Sequence, residues 1–273
     1  MTIMDNDAVE PRILAGATPA TVSDVPTAFG GDPPRFATAP NIVAYRLSVA
    51  IPVYNEAATV LELLHRVLAV DVPLEILIVE DGSTDGTAEL LRTEVEGRYP
   101  DVRVIYHEGN RGKGAAIVTA IAHATGDFLI VQDADLEYDP QAYRELLPAL
   151  VENRADVVYG SRFLGSIQDM KFANLLANRI LTIAANLLFP GARLTDEATC
   201  YKMFRLSLLK SLGLRSRRFD FCPEVTAKVL KRGIKIVEVP VHYRARTAAQ
   251  GKKIHWTDGV DALRALIKYR FVD

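Results

Sequence analysis

The stretch Asp127-Phe128-Leu129-Ile130-Val131-Gln132-Asp133-Ala134-Asp135-Leu136-Glu137-Tyr138-Asp139-Pro140 decides the reading of this chain. Its first part is an apolar run of strand length, the pattern of a strand covered on both faces. Its second part is an acidic turn that opens at Asp139-Pro140 into a further helical pattern. An ordinary Asx turn also accounts for a bare Asp-x-Asp. Position carries more weight here. At the tip of a central strand two carboxylates at i and i+2 repel one another, and a divalent cation shared with a diphosphate relieves that repulsion.

Working outward, strand and helix alternate on both sides. The pattern predicts strands at 47–52, 74–80, 102–107, 127–132 and 156–160, separated by helices at 56–69, 84–96, 112–125 and 140–152. Strands this apolar, joined by helices, imply an α/β fold with a mostly parallel sheet flanked by helices. Ligands of such sheets bind beyond the carboxyl ends of the strands. Each of these ends carries polar or unusual residues: Pro52-Val53-Tyr54-Asn55-Glu56, then Glu80-Asp81-Gly82-Ser83-Thr84-Asp85-Gly86-Thr87, then His107 to Gly114, the acidic turn, and Ser161-Arg162-Phe163. Further on come a long amphipathic helix over 171–189, with Phe172, Leu175, Leu176, Ile180, Ile183, Leu187 and Leu188 on one broad face, and a strand-like stretch at 201–204. Helices near 207–212 and 222–232, a strand at 234–239 and a last helix from 257 to 270 complete the pattern.

Composition bounds the partners. The 273 residues suffice for one large core, and the net charge of −2 hides an asymmetry: residues 201–273 hold 17 Lys/Arg against 6 Asp/Glu. A basic C-terminal quarter suits phosphates or an anionic membrane face, and solvated helix faces are the plainer explanation. Residues 1–44 contain six of the fourteen prolines without periodicity and read as a disordered extension, ahead of a domain over 45–255 and a terminal helix over 256–273. No apolar run approaches the ~18 residues of a spanning helix, and the N-terminus has no secretory h-region. Two cysteines without metal spacing fit a reducing compartment, so a cytoplasmic protein with peripheral membrane contact is expected.

The loops suggest particular chemistry. Asp81 can accept from a uracil or guanine N–H, or can simply help cap the next helix, and Tyr54 offers a ring for stacking. Gly109 to Gly114 (GNRGKG) departs from the phosphate-loop pattern and reads as a connection that allows close packing. Arg162 and the cluster Arg244, Arg246, Lys252 and Lys253 are candidate clamps for diphosphate or acceptor phosphate. No helix-turn-helix or aromatic-basic platform supports a nucleic-acid partner. The five scattered histidines are expected to be structural.

Together, Pro52 to Glu56, Glu80 to Thr87 and Asp133-Ala134-Asp135-Leu136 resemble family 2 glycosyltransferases of the GT-A fold. Over about residues 46–255 the chain is more similar to the branch of dolichyl- and polyprenyl-phosphate hexosyltransferases that contains dolichol-phosphate mannosyltransferase. The resemblance implies nucleotide contacts at Pro52, Tyr54, Glu56, Val79 and Asp81. It implies Mg²⁺ or Mn²⁺ and diphosphate at Asp133, Ala134 and Asp135, with Glu137 completing the metal shell. Phosphate contacts are implied at Arg162, Arg246, Lys253 and, because the loop length differs, Lys252. Asp196 and Glu224 match acids near the acceptor side. The expected reaction moves a hexose, with inversion, from a GDP- or UDP-sugar to a polyprenyl phosphate, and leaves room for a membrane-anchoring partner. Were the acceptor a hydroxyl, Asp196 or Glu197 is the candidate base. A non-catalytic sugar-nucleotide-binding subunit is the third reading. Glu80 stands where the family often has a second Asp, and Thr195 to Tyr201 lacks the Gln-x-x-Arg-Trp motif of processive synthases.

Overall fold

The computed structural model describes residues 45–246 and 256–272. Seven strands form one sheet in the order β3-β2-β1-β4-β6-β5-β7. β1 (Leu47–Val53) lies beside β2 (Leu74–Glu80) and β4 (Phe128–Val131), and β2 lies beside β3 (Val102–Tyr106), all parallel. β6 (Lys202–Arg205) runs antiparallel between β4 and β5 (Val157–Gln168), while β7 (Ile236–Arg244) returns parallel to β5. The expectation of a mostly parallel sheet holds, with β6 as the reversed member.

Both faces of the sheet are covered, and the period-2 geometry of the strands divides their side chains between the two layers. Ala50, Leu77, Val79, Leu129 and Val131 face a layer built with α3 (Lys113–His123), α5 (Phe172–Leu188), α6 (Leu206–Ser211), α7 (Phe221–Lys231) and α8 (Trp256–Phe271). Val49, Ile51, Ile76, Ile78 and Ile130 face α1 (Val60–Leu68), α2 (Thr87–Glu94) and α4 (Tyr143–Val151). α8 buries Ala262, Ala265, Leu266 and Tyr269 in the first layer, so it belongs to the same core as the residues before it.

Several element boundaries differ from the sequence pattern, among them β7, which runs on to Arg244 beyond the expected 239, and three have a local reason. α1 starts at Val60 instead of 56 because Asn55 takes a positive φ of 52° and the Glu56 carbonyl receives the N–H groups of Thr59 and Val60. α2 starts at Thr87 because Gly86 sits at φ 92° and the Asp85 carboxylate takes the Thr87 N–H at 3.0 Å. β5 runs on to Gln168 through an irregularity between Ser161 and Ser166 against β7, which puts Arg162 inside a strand.

α5 shows two faces. Leu181, Thr182 and Ala185 are buried against the core, and Leu188 packs beside them. Phe172, Leu176, Ile180, Ile183 and Leu187 are exposed, from 48% to 77%. The single apolar face read from the sequence is therefore mostly an outer stripe, with the core contact on other positions.

Candidate active site

Parallel pairing brings the carboxyl ends of β1, β2 and β4 to one edge, with Pro52 beside Val79, Val53 beside Glu80, and Ala50 beside Val131. Side-chain to backbone bonds join the first two loops above it. Asn55 accepts the Thr84 N–H at 2.7 Å and gives its own N–H to Ser83 Oγ at 2.9 Å, while Glu56 N–H reaches Thr87 Oγ1 at 3.0 Å. Glu80, the departure from the family pattern, accepts the N–H groups of Gly82 and Ser83 and so shapes the second loop. Tyr54 is half-buried in the first loop, and Val79 is fully buried in β2.

The acidic turn is fixed from below. Buried Gln132 accepts the hydroxyls of Tyr143 and Tyr201 and donates to the Asp133 carbonyl at 3.0 Å. Ala134 points into the core at 3% exposure, which leaves its two acidic neighbours on the other side of the turn. Leu136 has φ 60°, a left-handed conformation that costs a bulky residue about 1–2 kcal/mol and is tolerated where surrounding structure enforces it. Asp133 receives Lys113 Nζ at 2.6 Å. Arg246 reaches across from the end of β7 to Asp135 at 3.1 Å and to Glu56 at 3.1 Å. Glu137 is taken up by β7: Tyr243 hydroxyl donates to it at 2.7 Å and the Arg246 N–H at 2.7 Å.

Among the described residues, four carboxylates (Glu56, Asp133, Asp135, Glu137) thus gather around two cations, Lys113 and Arg246. The electrostatics divide the aspartates. Burial works to raise the pKa of Asp133, but the Lys113 ammonium more than offsets it and holds the group below the ordinary value. Asp135 is pushed up to about 7 by burial and by the charges of Asp133 and Glu137, against the pull of Arg246. Among the described residues no three His, Cys, Asp or Glu side chains converge closely enough to hold a metal alone. The donor set still fits Mg²⁺ or Mn²⁺, cations commonly held by one or two carboxylates with the remaining positions filled by phosphate oxygens and water. Asp135, whose ionised form burial and the neighbouring carboxylates disfavour, is the group a cation here would relieve most, with Asp133 beside it. Glu137, oriented by the Tyr243 hydroxyl and the Arg246 N–H, lies beside them.

A pH dependence follows. With its folded pKa raised to about 7, Asp135 binds a proton in the folded state between about pH 4 and 7 that the unfolded chain has released. Its contribution to stability therefore falls as pH rises through that window, whereas the depressed Asp133 loses its contribution only as pH falls below the ordinary carboxylate range. In EDTA the melting temperature should drop between pH 5 and 8 by more than in Asp135→Asn, and Mn²⁺ should restore more at pH 8 than at pH 5. An equal Mn²⁺ increment at both pH values contradicts this assignment.

Several expected site residues have other partners. Asp81 is 2% exposed, and its carboxylate meets His107 Nδ1 at 2.6 Å and accepts the N–H groups of Arg111 at 3.0 Å and Gly112 at 2.7 Å. It first orders the β3–α3 loop; of a carboxylate's roughly four lone-pair directions, one on Oδ2 remains for a base. His107 is structural as expected, its Nε2 lying 2.9 Å from Thr119 Oγ1. Arg162 is 6% exposed and bound through its Nε–Nη2 edge by Asp196, with side-chain contacts of 2.7 and 2.8 Å and its backbone N–H at 3.0 Å. Arg162 and Asp196, expected as a phosphate contact and a proton acceptor, thus form a buried ion pair with each other. Glu197 is also fully buried, and burial raises its pKa despite nearby Lys202. It is sealed from an acceptor hydroxyl. Glu224, fully buried, accepts the N–H groups of Arg215 and Ser216 and pairs with Lys228 at 2.8 Å. Lys252 and Lys253 lie outside the described residues.

Sequence reading missed Lys113 and Gln132. Lys113 stands in the GNRGKG loop, where the departure from the phosphate-loop pattern obscured it; its position opening a helix beside an acidic strand end was the available signal. Gln132 was visible only as the polar end of an apolar strand.

The sequence matches the glycosyl transferase family 2 profile over residues 48–213. The chain belongs to that family. Curated relatives of this glycosyltransferase family include the dolichol-phosphate mannosyltransferase of Pyrococcus furiosus, 28% identical over 76% of the chain and 59% of that protein. Another is the undecaprenyl-phosphate 4-deoxy-4-formamido-L-arabinose transferase of Edwardsiella ictaluri, 31% identical over 76% of the chain and 62% of that protein. The chain spans about three fifths of the length of these relatives. Among solved structures, glucosyl-3-phosphoglycerate synthase from Mycobacterium tuberculosis shares the fold with a TM-score of 0.64 at 18% identity, over 84% of this chain and 81% of that one. The same enzyme has been crystallised with Mn²⁺, UDP and glucosyl-3-phosphoglycerate, at a TM-score of 0.63 and 20% identity over 84% of this chain and 81% of that one. The GT-A expectation for this family 2 member holds.

Proposed function

We propose that the chain transfers a hexose, with inversion, from a GDP- or UDP-sugar to a polyprenyl phosphate. The observation that supports the reading is the buried carboxylate pair at the tip of β4, met by Lys113 and Arg246 at the edge where the first two loops meet. The named activities of the curated relatives, which act on polyprenyl phosphates, support the acceptor class. The neighbour crystallised with Mn²⁺ and UDP supports a nucleotide-sugar donor and a divalent cation.

In this reading Mg²⁺ or Mn²⁺, when bound, supplies positive charge against the departing diphosphate. Lys113 keeps Asp133 ionised, and Gln132 holds the turn that carries it. Arg246, which bridges Glu56 and Asp135, exchanges part of that contact for the donor diphosphate. An acceptor phosphate oxygen forms the new bond to the anomeric carbon as the bond to the nucleoside diphosphate breaks. A lipid phosphate is already anionic near neutral pH and needs no strong base, in keeping with the buried, committed Asp196. The outer stripe of α5 gives such an enzyme an apolar face for the bilayer boundary.

The test is transfer of radiolabel from GDP- and UDP-sugars to organic-extractable lipid in vesicles containing polyprenyl phosphate. Label in the organic phase is expected, and the double variant Ile180→Glu/Ile183→Glu should reduce transfer in vesicles at least tenfold while sparing transfer to a short-chain soluble analogue. Label found only on a water-soluble acceptor would replace this reading with the hydroxyl alternative.

A further inference from the structure

The basic C-terminal quarter contains a cluster that the donor site does not use, Arg215-Ser216-Arg217-Arg218 between α6 and α7. Two of these arginines join Arg111 of the β3–α3 loop around a cavity of about 430 Å³, completed by Asn110 and Ala115. We propose that this cavity is a second anion site, which takes a phosphate-bearing group on Arg111, Arg217 and Arg218.

Three like charges around one cavity repel, so their placement requires a reason. The backbone beneath them is pinned at every step. Asp81 holds the N–H groups of Arg111 and Gly112, Glu224 those of Arg215 and Ser216, and Asp220 those of Arg217 at 3.1 Å and Arg218 at 2.8 Å. The two walls are then tied together, Gly114 N–H to the Arg218 carbonyl at 2.9 Å and Ala115 N–H to the Arg217 carbonyl at 3.1 Å. The nearby carboxylates are thereby spent on main chain, and the three guanidinium groups stand at the surface without a carboxylate partner among the described residues.

Glycine permits this approach. Gly112, at φ 94°, and Gly114 lie so close to the Arg217 and Arg218 backbone that a Cβ at either position would overlap it. The close packing expected of the GNRGKG loop is thus what brings Arg111 alongside the other two arginines. Convergent guanidinium groups match phosphate by bidentate hydrogen bonds, and a lining without carboxylates calls for no metal. A free phosphate compound and a phospholipid headgroup share the chemistry this cavity recognises.

The site does not depend on the transfer reaction, and the test separates the two. In EDTA, binding of inorganic phosphate to the full chain is followed by ³¹P NMR titration for wild type, Arg217→Ala/Arg218→Ala, Arg111→Gln and Asp135→Ala. Saturable binding is expected in wild type and Asp135→Ala, at least tenfold weaker in the double variant and weakened in Arg111→Gln. Cosedimentation with phosphatidic acid vesicles, against phosphatidylcholine controls, identifies the source: loss in the double variant indicates a headgroup, and retention alongside lost phosphate binding indicates a free phosphate compound. Absence of saturable phosphate binding to wild type, or affinity unchanged in the double variant, overturns the proposal.

Discussion

Asp135→Ala is expected to lower sugar transfer on the order of 10³-fold, the scale of removing a group that stabilises developing charge, without lowering the melting temperature. The two halves of this expectation have one origin. Asp135 is buried beside Asp133 and Glu137, which together with burial push its pKa up to about 7. A carboxylate in that state weakens the fold at neutral pH and is retained for what it binds. Arg246 keeps Glu56 and Glu137 as partners when Asp135 is removed, so no buried cation is orphaned. Initial rates with saturating Mn²⁺, and thermal unfolding in EDTA so that bound metal does not stabilise the wild type alone, test both halves on the same preparation. A variant within tenfold of wild-type activity would remove Asp135 from the reaction, and a large loss of melting temperature would make its role structural.

Asp196→Ala is expected to fail in the opposite way. Its carboxylate, fully buried, makes a bidentate contact with the Nε–Nη2 edge of the Arg162 guanidinium, which is itself only 6% exposed. Thr195 and Asp196 present their N–H groups to Glu238 at 2.7 and 2.9 Å, which fixes the loop so that it cannot swing out to hydrate the arginine. Removing one partner of a buried pair leaves an uncompensated charge and costs about 3–5 kcal/mol. For a domain of this size that is a fall of roughly 10 °C in melting temperature. Arg162→Met/Asp196→Leu should recover most of the loss, since replacing both charges by apolar groups avoids the desolvation cost. A double-mutant cycle on thermal unfolding measures the coupling. If Asp196→Ala instead folds like wild type and loses only turnover, Asp196 belongs to the chemistry after all.

These two aspartates show how far sequence reading reaches. Both stand near functional edges and both match family positions, yet one sits among carboxylates that raise its pKa and the other is held by an arginine 34 residues away. Nothing in the local pattern around Asp196 indicates Arg162, because the pair forms where β5 passes the loop before β6. Asp81 repeats the lesson. Its place at the tip of β2 was legible, but its commitment to His107 and to the Arg111 and Gly112 N–H groups arises from loops that meet only in the fold.

The sequence by itself determined the alternation of strand and helix, the parallel character of most of the sheet and the edge at which polar residues collect. These follow from backbone periodicity and from the burial of strands on both faces, which are written locally in every segment. Tertiary structure alone decided the partners: Lys113 on Asp133, Arg246 spanning 190 positions to Glu56, and Arg111 drawn beside Arg217 and Arg218. Charge pairing depends on distances between elements far apart in the chain, and hydrophobic packing sets those distances without leaving a periodic trace beside the charged residues.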